Sequence, residues 1–165
     1  MRDAVKESRK FDRELEELRN YSLGDNYIKN QIAILEKSAK YGIQDISSLN
    51  QEFSTVSEKI LKNHRKEKPT KSLLDKVALN FSSVIHIRKV SGDEDSKKPE
   101  DLMALAGSYI TSGNVESAIN ELNKLSSDDN AALSNWLEKA TNYVKSHDAS
   151  DAIFKYATRP IQNDS

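Results

Sequence analysis

The sequence predicts an all-α protein, an antiparallel bundle of helical hairpins. Apolar residues recur at spacings of three and four along most of its 165 residues, the period of helices with one face in a core. Only five Gly and three Pro interrupt the chain, and charged residues make up 31% against 7% aromatics. A sheet-rich fold needs more turn residues and β-branched runs than that.

Residues 2–21 carry Val5, Phe11, Leu15 and Leu18 among charges and predict one surface helix with a narrow apolar stripe. Ser22-Leu23-Gly24-Asp25-Asn26 is a break. A second helix from Tyr27 to Tyr41 puts Ile28, Ile32, Leu35 and Ala39 on one face and stops at Gly42, a left-handed cap. Asp45 or Ser47 caps a third. Its positions Ile46, Leu49, Phe53, Val56 and Ile60 form the cleanest amphipathic pattern in the chain. Pro69 breaks it, and helix resumes near Ser72 with Leu73, Leu74, Val77 and Phe81. Val84-Ile85-His86-Ile87 reads either as the end of that helix or as a short extended piece. Pro99 suits a first helical position, and helices are expected over 99–112, 115–125 with Asn114 as cap, 129–146 and 150–157. Short loops between such helices imply antiparallel neighbours.

Composition narrows the function classes. The net charge of −1 offers no overall attraction to nucleic acid. Charge is uneven, though: residues 1–80 hold 16 Lys/Arg against 13 Asp/Glu, and residues 81–165 hold 9 against 13. With no cysteine, disulfides, thiolate metal sites and thiol catalysis are excluded. No run approaches the roughly 18 apolar residues of a membrane span. His64, His86 and His147 form no i, i+4 ligand set with one another, and no G-x-S-x-G elbow appears. Asp128-Asp129 sits at a helix start, where the macrodipole favours carboxylates. No catalytic residue, metal or cofactor is therefore assigned.

The C-terminal part repeats at an offset of 34 residues, aligning Leu102 with Trp136, Ala106 with Ala140, Tyr109 with Tyr143, Ala118 with Ala152, Ile119 with Ile153 and Leu122 with Tyr156. The first unit resembles a tetratricopeptide repeat (TPR), in which small residues let two helices approach. In the second, Lys139 stands for Leu105 and His147 for Gly113. Two readings stay open: plain hairpin core, or a TPR-like peptide-binding adaptor unrelated to membranes.

An ordered series of residues carries a further resemblance. Phe81-Ser82-Ser83-Val84-x-x-Ile87-Arg88 precedes Gly92-Asp93 and the helix-opening Glu100. Ala104-x-Ala106-x2-Tyr109-x3-Gly113-Asn114-Val115-x2-Ala118-x2-Glu121-Leu122-x2-Leu125 follows, and Trp136-Leu137-x2-Ala140 closes it. Phe11-x3-Leu15-x2-Leu18 and Ala39-x2-Gly42-Ile43 fit the same pattern more loosely upstream. The series resembles the C-terminal signature of the mitofilin family, particularly its alphaproteobacterial members.

That resemblance implies a non-enzymatic scaffold that shapes inner-membrane invaginations and crista junctions or, in bacteria, intracytoplasmic membranes. It implies contacts with an anionic membrane surface and with protein partners, among them outer-membrane barrel-assembly machinery; a homo-oligomer stays open, and the charge balance leaves no nucleic-acid partner expected. It also implies a domain in the intermembrane space or, in bacteria, at the periplasmic face of the inner membrane. Family members carry an N-terminal membrane span and a coiled coil, so this chain is expected to be a C-terminal piece. Residues 1–80 are expected to hold an amphipathic basic helix (about 45–68), and residues 81–165 the signature hairpins, as one compact unit.

The resemblance also implies a lipid-touching segment just before the signature. Lys59, Lys62, Arg65, Lys66, Lys68 and Lys71, opposed only by Glu67, are the candidates. Polybasic segments gain about 1 kcal/mol per Lys/Arg near an anionic surface. The alternative is a solvated helix end whose apolar face packs into the core. Tyr109, Gly113, Trp136 and Tyr143 are expected as core, as groove, or as a seat for a partner helix or a second copy. Arg88 and Asp93 are expected to fix the turn into the hairpin.

Overall fold

Every regular element among the described residues of the computed structural model is a helix; these residues are 1–67 and 98–159, with Lys66 and Glu67 described by backbone alone. In chain order they are α1 (Arg2–Lys6), α2 (Asp12–Tyr21), α3 (Asn26–Ala39), α4 (Ile46–Glu67), α5 (Pro99–Thr111), α6 (Val115–Leu122) and α7 (Ser127–Ala157). The all-α expectation holds. The helix expected from Ser72, the Val84–Ile87 segment, Pro69 and the Gly92-Asp93 turn lie outside the described residues. The described chain falls into two compact units, Met1–Leu49 with Asn135–Ser165, and Asn50–Ser134.

In the first unit, the single helix expected over 2–21 is two. Val5 and Phe11 are six residues apart, which places them on different faces of one continuous helix. Both are nevertheless buried in the same cluster, so the chain turns between them. Ser8 supplies the turn at φ +56. Arg9 N–H donates to Ala4 O at 2.8 Å and Ser8 N–H to Val5 O at 3.2 Å, the double bond of a Schellman cap with serine where glycine is usual. Phe11 then docks by its own N–H on Ala39 O at 3.0 Å. Ile28, Ile32, Leu35 and Ala39 of α3 face Leu15, Ala149 and Ile153 in this cluster, as their spacing predicts. Fully burying such a side chain contributes about 1.5–3 kcal/mol. Gly42, at φ +84, receives the chain leaving α3 and sends its N–H to Ser38 O at 2.7 Å.

In the second unit, α5 and α6 form the predicted hairpin. Pro99 stands at the start of α5. At its end Asn114 N–H reaches Tyr109 O at 2.8 Å and Gly113 N–H reaches Ile110 O at 3.0 Å, with Gly113 at φ +82. Asn114 then caps α6 by accepting from Ser117 N–H at 3.1 Å. Ala106 and Ala118 are fully buried, along with Leu102, Ile110, Val115 and Leu122. A Cβ on Gly107 would lie 3.5 Å from the Phe53 ring, so the small residues of α5 accept α4 at close range.

One expected break is missing. Helices 129–146 and 150–157 are a single helix, α7. His147 stands where Gly113 stands in the first unit of the repeat, and no Gly or Pro ends the helix nearby. Ser146, Ala149 and Ser150 are all but fully buried, so packing holds the helix through this stretch. The second 34-residue unit therefore has no turn corresponding to Gly113.

Candidate functional site

The cationic segment lies on α4. Asp45 caps this helix: its carboxylate accepts from Ser48 N–H at 2.9 Å and from the Ser48 hydroxyl at 2.7 Å. That hydroxyl, with the backbone N–H, holds the Asp45 carboxyl below its usual range. From the cap onward the buried stripe runs Leu49, Phe53, Ser57 and Ile60. Ile46 and Val56, expected in the core, are only half-buried, and Ser57 takes the place expected for Val56. Its hydroxyl is satisfied by Ser54 O at 3.0 Å, which is how a polar residue is accommodated there.

The next residue on that stripe is His64. Its Nε2 lies 2.9 Å and 3.0 Å from the two carboxylate oxygens of Asp129. Asp129 is nearly buried and belongs to the cap of α7. Ser126 donates its hydroxyl to the Asp129 carboxylate at 2.8 Å, and Asp129 N–H donates to Ser126 Oγ at 3.2 Å, so the serine caps the helix and orients the carboxylate at once. An apolar stripe thus ends in a polar clasp. Sequence reasoning assigned His64 no role, because its partner is 65 positions away and no local spacing announces it.

Lys59, Lys62 and Arg65 are exposed, whereas Phe53, Ser57 and Ile60 face inward. In this stretch α4 spends its apolar face on the core and turns these three cations outward. Lys66 is described by backbone alone, and Lys68 and Lys71 lie outside the described residues. So do Arg88 and Asp93. No helix among the described residues is long and apolar enough to cross a membrane.

The remaining candidates are divided between the two units. Tyr109 and Gly113 belong to the second unit, where Tyr109 is half-buried and Gly113 is an exposed turn. Trp136 and Tyr143 belong to the first. Trp136 is 2% exposed and its Nε1–H donates to Leu49 O at 2.8 Å, which marks a core residue with its polar tip satisfied. Tyr143 is half-buried, 4.3 Å ring to ring from His147, and burial pushes its phenol pKa up.

A family model described as "Mitofilin: Mitochondrial inner membrane protein" matches residues 1–158. The match takes in the N-terminal helices as well as the hairpin series. No curated protein and no solved structure matches the chain.

Proposed function

The chain belongs to the mitofilin family, whose members are associated with the inner membrane, and from that premise we propose that it is a non-enzymatic membrane-organising scaffold domain. It touches an anionic membrane surface through the outward cations of α4, helps to shape inner-membrane invaginations, and holds protein partners that tether the membrane, with outer-membrane barrel-assembly machinery among them. The reading puts it at the periplasmic face of a bacterial inner membrane, or at the equivalent face in the intermembrane space. One observation carries it: Lys59, Lys62 and Arg65 stand free of the buried Phe53–Ser57–Ile60 stripe. Contact is then electrostatic adhesion, without insertion of an apolar helix face, and it weakens as salt rises.

Co-sedimentation with anionic liposomes tests this. Binding is expected at low salt, falling steeply toward physiological ionic strength, and lost when Lys62, Arg65 and Lys66 are all changed to Glu. Undiminished binding of that triple variant would sink the lipid contact. A membrane-independent peptide adaptor is favoured by the glycine-hinged α5–α6 hairpin alone, and the absence of any liposome binding by the unaltered chain would select it.

A further inference from the structure

A groove of about 380 Å³ lies within the first unit, where α1, α2 and α7 meet. Leu18 and Tyr21 of α2 form one wall, and Ile153 and Phe154 of α7 the other. Tyr21 is 90% exposed and Phe154 43%, so large apolar surface is left in water at a concave site, as in binding grooves. Ser150 also lines the groove; it is 1% exposed and its Oγ makes no hydrogen bond. A buried hydroxyl without a partner is rare enough to ask for one.

The charge at the mouth is divided, with Met1 and Arg2 on the α1 side and two carboxylates, Glu14 and Glu17, on the α2 side. Arg2, which also lines the groove, is already committed: its Nε donates to Asp151 at 2.7 Å and its guanidinium lies 4.1 Å above the Phe154 ring. Arg13 meets Glu17 at 3.4 Å as an exposed i, i+4 pair, which holds little energy.

We propose that this groove docks an amphipathic helix of a partner protein. Apolar or aromatic anchors at i, i+3, i+4 and i+7 fill the Leu18–Phe154 cleft, a polar side chain meets Ser150, and Lys or Arg faces Glu14 and Glu17. The two acidic side chains repel an anionic membrane, and a concave cleft does not fit a flat one. Among the described residues the cationic helix α4 keeps its apolar stripe buried, so α4 of a second copy is not the occupant. The proposal gives a chemical class to the protein partner of the proposed scaffold and rests on that reading.

The probe is a capped synthetic helix of about 18 residues, five turns, with Leu and Phe on one face and Lys on the other, beside a twin with Glu for Lys. Calorimetric titration into the whole chain is expected to show binding of the Lys helix and at least about tenfold weaker binding of the twin. Glu14→Lys with Glu17→Lys reverses that preference, and Phe154→Ala weakens binding by about tenfold, with helicity and melting temperature checked for each variant. The Lys62, Arg65 and Lys66 reversals leave peptide affinity unchanged, so failure of the lipid contact and failure of the groove are read separately. No binding of the Lys helix, or equal affinity for both peptides, overturns the proposal. So does loss of liposome binding in the groove variants, which would make it a membrane contact. Self-association abolished by the Glu14 and Glu17 reversals would likewise assign the groove to a second copy.

Discussion

The two compact units each end a helix on a left-handed glycine, and they differ in what surrounds it. In the first unit a Cβ on Gly42 would lie 2.5 Å from Ser8 O and 3.2 Å from Arg9 O, both backbone atoms. In the second, nothing lies within 4 Å of the corresponding position at Gly113. The first turn is a packing junction between distant segments, and the second is a solvent-exposed hinge between sequence neighbours. The contrast runs through both units. The first is closed by pairs far apart in sequence: Arg2 with Asp151, Asn142 with Ser38 at 2.6 Å, and Trp136 with Leu49. The second is built on the α5–α6 hairpin, with His64–Asp129 and the Phe53–Gly107 approach as distant ties among the described residues. A unit held by remote pairs is sensitive wherever two segments meet; a hairpin tolerates change at its turn.

The sharpest test of that contrast is the pair Gly42→Ala and Gly113→Ala. The first meets both a disfavoured φ and backbone oxygens that cannot withdraw, and is expected to cost about 2–4 kcal/mol. The second meets the φ penalty alone, about 1 kcal/mol. Urea unfolding of both variants measures the difference, and equal losses would break the comparison.

Acid is expected to act next most strongly, and on the first unit. Burial lowers the pKa of His147 from its ordinary 6.5; Asp151 and Asp148 pull it back up and Lys6 adds to the lowering, while the Tyr143 ring covers one side. The folded state therefore favours neutral imidazole. As pH falls below 6.5 the unfolded chain takes up the proton first, and stability is lost until the folded group titrates too. A second loss begins near 3.8, where the unfolded chain protonates three carboxyls that the fold holds lower and keeps ionised. These are Asp25, by the Tyr156 hydroxyl, Asp45, by Ser48, and Asp151, by Arg2. Trp136 fluorescence against urea at pH 7.5 and 5.5 is expected to show a lower midpoint in the more acid buffer. His147→Gln is expected to flatten that step, and an unchanged pH difference in the variant would remove His147 as its cause.

The smallest effect concerns the most distant pair. Arg2 and Asp151 are both partly exposed, so solvent screens them and Arg2→Gln is expected to cost no more than about 0.5 kcal/mol. A larger loss in thermal unfolding would show that the cation over Phe154 matters more to closing this unit than the ion pair does.

Legibility followed the same division. The stripe of α3, the Asp45 and Asn114 caps, Pro99 and the Gly113 hinge are all readable because each signal acts within about four residues. The exposed cations of α4 were readable as a cluster. Which face they share was less so: Ser57 displaces Val56 from the core, and only the residues packed against α4 decide that. His64 carries no local mark, since its role comes from Asp129, a partner brought by another helix.

By itself, then, the sequence determined the helical class, most of the caps and the α5–α6 hairpin, because periodicity and capping are short-range chemistry; the family came from likeness of an ordered series of residues, which the family match over residues 1–158 bears out. The tertiary structure decided the turn at Ser8, the uninterrupted run of α7 past His147, the clasp of His64 on Asp129, and the groove where α1, α2 and α7 meet. Each of these is settled by burial or by a hydrogen bond to a segment remote in the chain. Those terms outweigh local propensity once the two segments meet.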